Sequence, residues 1–359
     1  MTPGLERAYR DRRVLVTGHT GFKGAWLSAW LQRLGARVVG YALPAEHGSA
    51  SLYQAARIGD GMVSLVGDVR DTDRLCAVYR EHQPEVVFHL AAQALVRRGY
   101  RDPVGTFATN VMGTVHVLDG AREAPTVRAI VVVTSDKCYE HSTQRASFRE
   151  SDRLGGDDPY SSSKGCAELV VAAYRRSYFP AGRPAVASAR AGNVIGGGDW
   201  GEDRLVPDLM RAAAAGRQTV LRNPDAVRPW QHVLDPLYGY LLLGSRLLEE
   251  GAPWAEAWNF GPAEGEAVAV GDLARRIAAR WDRVRTVVDQ DPTAPREAEY
   301  LQLDATKART RLGWAEHVGL DDAIAWTVDW YRRGLADPAS AADAVAGQLS
   351  AYAERVTAP

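Results

Sequence analysis

Five residues of this chain have types and spacings suited to proton transfer: Ser135, Asp136, Lys137, Tyr160 and Lys164. The first three follow Val131-Val132-Val133-Thr134, an apolar run that reads as a buried strand ending in a hydroxyl, an acid and an amine. Tyr160-Ser161-Ser162-Ser163-Lys164 is a Tyr-x-x-x-Lys spacing at a helix start. Helix periodicity places the phenol and the amine on one face, one turn apart. An ammonium beside a phenol lowers the phenol's pKa, so Tyr160 is expected to take a proton near neutral pH, with Ser135 as hydrogen-bond donor. Asp136-Lys137 reads in two ways. Alone it is a solvated turn pair, and neighbours in an extended strand point to opposite sides. Beside Ser135 and the Tyr-x-x-x-Lys spacing it reads as a second acid and base of the same site.

These groups need a rigid frame, and the sequence supplies one. Arg13 to Thr17 reads as a short buried strand, followed by Gly18-His19-Thr20-Gly21-Phe22-Lys23-Gly24. Trp26, Leu27, Trp30, Leu31 and Leu34 then recur at helix spacing, Gly35 closes that helix, and Ala36 to Tyr41 is a second strand. A strand, a glycine-rich turn, a helix and a strand make a dinucleotide-binding unit, in which glycines let the backbone approach a pyrophosphate at a helix N-terminus. The spacing is Gly-x-x-Gly-x-x-Gly, a weak sign in isolation that gains weight from its flanking elements.

Further strands are expected at Met62–Val66, Val86–Ala92, Ala129–Thr134 and Ala185–Ala189, with helices at Phe107–Ala121 and Ser162–Tyr178. This alternation predicts an α/β protein: a doubly wound parallel Rossmann sheet over 1–190, revisited near 230–260. A smaller C-terminal α/β substrate-binding portion is expected over 191–229 and 261–336, with a helical tail over 337–359. Asp68, at the end of the third strand with Val69, reads either as an adenine ligand or as a turn acid. Leu90, Ala91 and Ala92 are small or apolar enough to let a cofactor lie close. The second strand ends Gly40-Tyr41-Ala42-Leu43-Pro44 with no acid before Glu46, so the residues leave NAD against NADP open. His89 reads as a packed or hydrogen-bonded histidine.

The bulk properties bound the rest. The chain has 359 residues, of which 46% are apolar and 24% charged, as in an ordinary globular protein. Its formal charge of -1 gives no reason to expect a nucleic-acid partner. No run is long and apolar enough to span a bilayer, and the N-terminal residues carry no leader-like apolar stretch. Cys76, Cys138 and Cys166 have no metal-like spacing, and the eight histidines form no metal motif, so no metal is expected. Unpaired cysteines fit a reducing cytoplasm.

The motifs resemble a known family. Val16-Thr-Gly-His-Thr-Gly-Phe-Lys-Gly24, Leu90-Ala-Ala-Gln93, Thr109-Asn-Val-Met-Gly113, Thr134-Ser-Asp-Lys-Cys-Tyr-Glu140, Ala191-Gly-Asn-Val-Ile-Gly-Gly-Gly-Asp-Trp200 and Arg228-Pro-Trp-Gln-His232 span nearly the whole chain. They are similar to the extended short-chain dehydrogenases/reductases acting on nucleotide sugars, and within these to the 4,6-dehydratases acting on CDP-glucose. The resemblance implies an internal oxidation, elimination and reduction through bound NAD. Tyr160 would be the base at the sugar's C4 hydroxyl, Ser135 its hydrogen-bond partner, and Lys164 a ligand of the cofactor ribose. Asp136 would protonate the leaving C6 hydroxyl, and Lys137, as a neutral amine, would remove the C5 proton. Gly18, Gly21, Phe22, Lys23, Gly24, Asp68, Val69, Leu90, Ala91, Ala92 and Asn110 would join Tyr160 and Lys164 around the cofactor. Gln93, Arg97, Asn193, Arg204, Arg228 and Arg296 would face the nucleotide sugar, although Arg204 reads equally as a solvated surface charge. The helices Phe107–Ala121 and Ser162–Tyr178 would form a homodimer interface. The chain departs from the family pattern at Gly99, where serine is usual, at His141, where asparagine is usual, and at Arg296.

Overall fold

The apolar runs fold as strands of one sheet. The computed structural model describes residues 3–46, 48–140, 147–180, 182–263, 265–289 and 301–358. Its strands are β1 Arg13–Thr17, β2 Arg37–Ala42, β3 Val63–Val66, β4 Val86–His89, β5 Ala129–Val133, β6 Ala185–Ala191 and, far along the chain, Ala257–Phe260. This last strand lies beside β6, and the order continues β5, β4, β1, β2, β3. Every pairing is parallel. The order reverses between β1 and β4, and ligands of such sheets bind at the strand C-termini at that switch point.

Strand residues alternate between two cores, because successive side chains point to opposite faces. Val14, Val16, Phe88 and Val131 pack with Trp26 and Trp30 of the helix Phe22–Arg33 and with Leu237 and Leu241 of the helix Leu234–Glu249. Leu15, Val87, Ile130 and Val132 pack with Leu75 and Tyr79 of the helix Thr72–His82, Leu118 of Gly113–Arg122 and Val171 of Pro159–Ser177. Layers of helices on both faces make the sheet doubly wound.

Beyond Ala191 lie the helix Leu205–Ala214, a parallel pair of Gln218–Leu221 with Arg285–Val288, and the helix Val270–Arg280. Leu209, Leu273 and Ile277 belong to the same core as the first sheet face, so the two portions are packed together. The C-terminal segment, expected as a plain helical tail, is a helix over Ala341–Thr357 with Leu349 and Tyr352 buried in that core. The Tyr352 hydroxyl donates to Asp235 Oδ1 at 2.9 Å. The helix expected from Phe107 starts earlier, at Pro103, where Asp102 accepts the Gly105 amide.

Candidate active site

The strand β5 stops at Val133, and the chain then turns. Asp136–Cys138 is a single 3₁₀ turn, with Ser135 in extended backbone before it. The Ser135 hydroxyl accepts the Lys137 amide at 3.2 Å and donates to Asp136 Oδ1 at 2.8 Å. An extended strand would send these neighbours to opposite sides; the turn instead lets Ser135, Asp136 and Lys137 all line one cleft of about 1020 Å³. Asp136 is buried, and its Oδ2 has no hydrogen-bond partner among the described residues.

The other half of the site sits at the start of the helix Pro159–Ser177. Asp158 caps it, accepting the Tyr160 and Ser161 amides at 2.9 and 3.0 Å, and Pro159 occupies the first turn, where its missing N–H leaves no gap. Tyr160 and Lys164 both line the cleft. Gly165 lets this helix lie close to the Ser135 side: a Cβ there would stand 2.8 Å from the Gly155 carbonyl oxygen and 3.2 Å from that of Cys138. Gly99 lies beneath the same site, where a Cβ would stand 3.2 Å from the Tyr160 amide nitrogen.

The electrostatics differ from the sequence expectation at Tyr160. Burial pushes its phenol up to about 12; a hydrogen bond with Ser135 opposes this, and the Asp136 charge adds to it. The Lys164 ammonium, expected from sequence to lower the phenol, is itself brought down to about 8 by burial, and its Nζ donates to the Val133 carbonyl at 3.3 Å. Lys23, from the glycine turn, is lowered to about 8 by burial and by the nearby Arg204 charge. Two amines, both brought down by burial, thus line the cleft.

At the dinucleotide end the residues fit the expected cofactor. Gly24 packs against the turn so closely that a Cβ would stand 2.1 Å from the Gly18 carbonyl oxygen. Gly21 precedes the helix Phe22–Arg33 without a side-chain cap, which leaves the first amides for a phosphate. Gly18, Phe22, Val69, Leu90, Ala91 and Ala92 line the same wall. Asp68 lines it too, but its carboxylate takes the Arg70 amide at 2.9 Å and the Arg70 guanidinium at 2.6 Å, the turn role weighed above. Asn110 is placed otherwise than expected. It is buried away from the cleft wall, donates to the Gln93 carbonyl and Ser163 Oγ, and accepts the Gln93 amide. Gln93 lines the cleft, yet its side chain bonds Leu95 and Thr106, so the two residues brace the wall. His89 bridges the Thr17 and Thr114 hydroxyls, and burial lowers it to about 3.

At the opposite end, Asn193, Arg204, Arg228 and Arg97 line the cleft. Arg204 is held by both oxygens of Asp199 at 3.0 and 3.1 Å, so it is no free surface charge. Arg228 is buried and donates to the Val227 carbonyl at 2.9 Å. Arg97 lies 3.9 Å from Asp203. Arg296 and His141 lie outside the described residues.

Sequence reasoning missed a buried ion pair behind the site. Glu168, one turn beyond Lys164, meets Arg190 of β6 at 2.7 Å, with side chains 2% and 3% exposed. Glu168 also accepts the Thr134 and Ser188 hydroxyls, and Arg190 donates to the Tyr139 hydroxyl at 2.6 Å. The pair therefore ties the helix that bears Tyr160 and Lys164 to Thr134, the residue preceding Ser135. Its one signal in the sequence is an acid at i+4 from Lys164 on the helix face that also carries Tyr160.

Comparison with known proteins identifies the family. The profile of the GDP-mannose 4,6 dehydratase family matches residues 15–327. The CDP-glucose 4,6-dehydratase of Salmonella typhimurium is 46% identical over 90% of this chain and 91% of its own length. A dTDP-glucose 4,6-dehydratase of Xanthomonas campestris pv. campestris is 27% identical, covering 88% and 92%. Among solved structures, the UDP-glucose 4-epimerase of Thermus thermophilus in complex with NAD superposes with a TM-score of 0.77 at 25% identity, covering 89% of this chain and 99% of that one. A match from β1 into the penultimate helix, on a parallel sheet carrying Ser135, Tyr160 and Lys164 in one cleft, means that the chain belongs to the GDP-mannose 4,6 dehydratase family of nucleotide-sugar enzymes.

Proposed function

We propose that the protein is an NAD-dependent CDP-glucose 4,6-dehydratase, releasing water and CDP-4-dehydro-6-deoxy-glucose. The observation that carries this reading is the meeting of Asp136 and Lys137 with Ser135, Tyr160 and Lys164 in one cleft. The 46% identity to a CDP-glucose enzyme supports the choice of substrate.

NAD, when bound, supplies the hydride acceptor and donor and a positive charge that favours the Tyr160 phenolate. Tyr160 takes the C4 hydroxyl proton while Ser135 holds the oxygen that becomes the ketone. Lys164 would hold the cofactor ribose. The C4 ketone acidifies C5, so Lys137 removes that proton, and Asp136 gives a proton to the C6 oxygen as it leaves as water. The hydride taken from C4 ends at C6 of the resulting 5,6-ene, and protonated Lys137 returns a proton to C5, which gives the 6-deoxy ketone with no net oxidation. The buried Asp136 carboxyl, hydrogen-bonded by Ser135, is positioned for this. Arg228, Arg204 and Asn193 face the diphosphate, which guanidinium forks bind well. The described residues of 191–229 and 261–336 would form the sugar-binding portion.

The enzyme acts as a homodimer through the helices around 103–122 and 159–177, where Val104, Phe107, Met112 and Leu169 are exposed apolar side chains. It works in the cytoplasm, a reducing compartment that suits its three free thiols.

The test is a product assay by mass spectrometry with NAD and, separately, CDP-, dTDP-, UDP- and GDP-glucose. Loss of water from CDP-glucose without net NADH is the expected result. Loss of water from another sugar nucleotide would keep the mechanism and move the substrate. The second reading is a 4-epimerase, which needs only Ser135, Tyr160 and Lys164 and fits the structural likeness to an epimerase. A C4 epimer without loss of water would establish it. In Lys137→Met, exchange of the C5 proton with solvent is expected to fall by about 10²–10⁴-fold.

A further inference from the structure

In a Rossmann site the adenosine ribose lies at the C-terminal end of the second strand, where an acid ordinarily accepts its 2′-hydroxyl. Here β2 ends at Ala42 and continues Leu43-Pro44, with no acid. The polar groups of that corner are already engaged. Tyr41 donates to the Asp68 carbonyl at 2.9 Å, and the Asp68 carboxylate holds Arg70. The first acid past the strand is Glu46. Its Oε1 meets Arg98 Nη1 at 2.6 Å, and both side chains line the cleft with Leu43 and Pro44. Arg98 belongs to the helix Val96–Arg101, which follows β4. The pair thus joins the two walls between which a dinucleotide would lie, at the edge reserved for its ribose.

We infer that Glu46 and Arg98 decide between NAD and NADP. The inference rests on the reading of this cleft as a dinucleotide site. The Glu46 carboxylate is an acceptor for the 2′-hydroxyl and repels a 2′-phosphate. It also occupies a cation of this edge whose fork would grip that phosphate. Removing the acid both ends the repulsion and releases the guanidinium. The side chains are 58% and 35% exposed, so their substitution leaves the cores untouched.

The experiment is a calorimetric titration of the wild type, Glu46→Ala, Arg98→Ala and the double variant with NAD and with NADP. Glu46→Ala is expected to shift the affinity ratio toward NADP by roughly tenfold or more, the scale of one charge-assisted phosphate contact. The double variant is expected to lose that gain, because Arg98 delivers it. A ratio in Glu46→Ala within about twofold of the wild type, with NAD still bound by the wild type, would overturn this inference alone. A wild type that binds neither dinucleotide would overturn the dehydratase reading as well.

Discussion

Replacing Arg190 by methionine should destabilise the fold by about 3–5 kcal/mol, because it strands a buried carboxylate without its counter-charge. The structure sets both the size and the pH dependence of the effect. Burial by itself would raise the Glu168 carboxyl. The Arg190 charge and the hydrogen bonds from Arg190, Thr134 and Ser188 outweigh burial and hold it below its usual range. A carboxyl depressed in the folded state contributes stability that is present above its unfolded value, about 4.3, and lost as pH falls through the folded value. Without Arg190, burial wins and the folded value rises above the unfolded one. The contribution then changes sign: it is present at acid pH and lost as pH rises. Urea unfolding followed by tryptophan fluorescence, at about pH 5 and about pH 8, should therefore show Arg190→Met closer to the wild type at the lower pH. The double variant Glu168→Gln/Arg190→Met removes both charges and should recover to within about 1–2 kcal/mol of the wild type. A loss below about 1 kcal/mol in the single variant, or a double variant as unstable as the single, would show that the pair is not held as described.

Two other perturbations test separate parts of the molecule. Gly24→Ala drives a methyl group against the Gly18 carbonyl oxygen, 2.1 Å from where the Cβ would stand. It should cost about 1–3 kcal/mol in thermal unfolding and weaken NAD binding by roughly tenfold or more, since the glycine turn must move. Asp235 is pushed up to about 7 by burial, against hydrogen bonds from the His317 amide and Tyr352. Its folded value lies above the unfolded one, so its contribution is present at low pH and lost as pH rises through about 7. Asp235→Asn keeps an acceptor for both donors and should flatten the fall of the melting temperature between about pH 6 and 8. Glu316, pushed up to about 8 by burial and by the Asp235 charge, should leave a shallower slope. An unchanged slope in Asp235→Asn would refute the assignment.

The parallel sheet and the grouping of Ser135, Tyr160 and Lys164 in one cleft were legible because their signals are local. β-Branched runs, a glycine turn before a helix, and Asp158-Pro159 before Tyr160 each act within a few residues. What the sequence concealed depends on distant contacts. The Tyr160 phenol is raised because burial, a property of the assembled fold, outweighs the Ser135 hydrogen bond that lowers it. Asn110 reads as a ligand by motif, yet its amide is occupied by Gln93 and Ser163. The docking of the last helix through Tyr352 and Asp235 joins residues far apart in the chain, beyond the reach of periodicity.

The late arrival of the Ala257–Phe260 strand has a consequence for biosynthesis. β6 is buried along its whole length, and this strand covers its outer side. On the ribosome, β6 emerges long before its neighbour, and at about 5–20 residues per second the interval lasts several seconds. During that time the nascent sheet presents an unpaired, alanine-rich edge, the kind of surface that recruits other chains. Chains broken off before residue 257 retain Ser135, Asp136, Lys137, Tyr160 and Lys164, yet they lack the strand that covers β6. Expression yield is thereby tied to completing the C-terminal half rather than to the integrity of the catalytic residues.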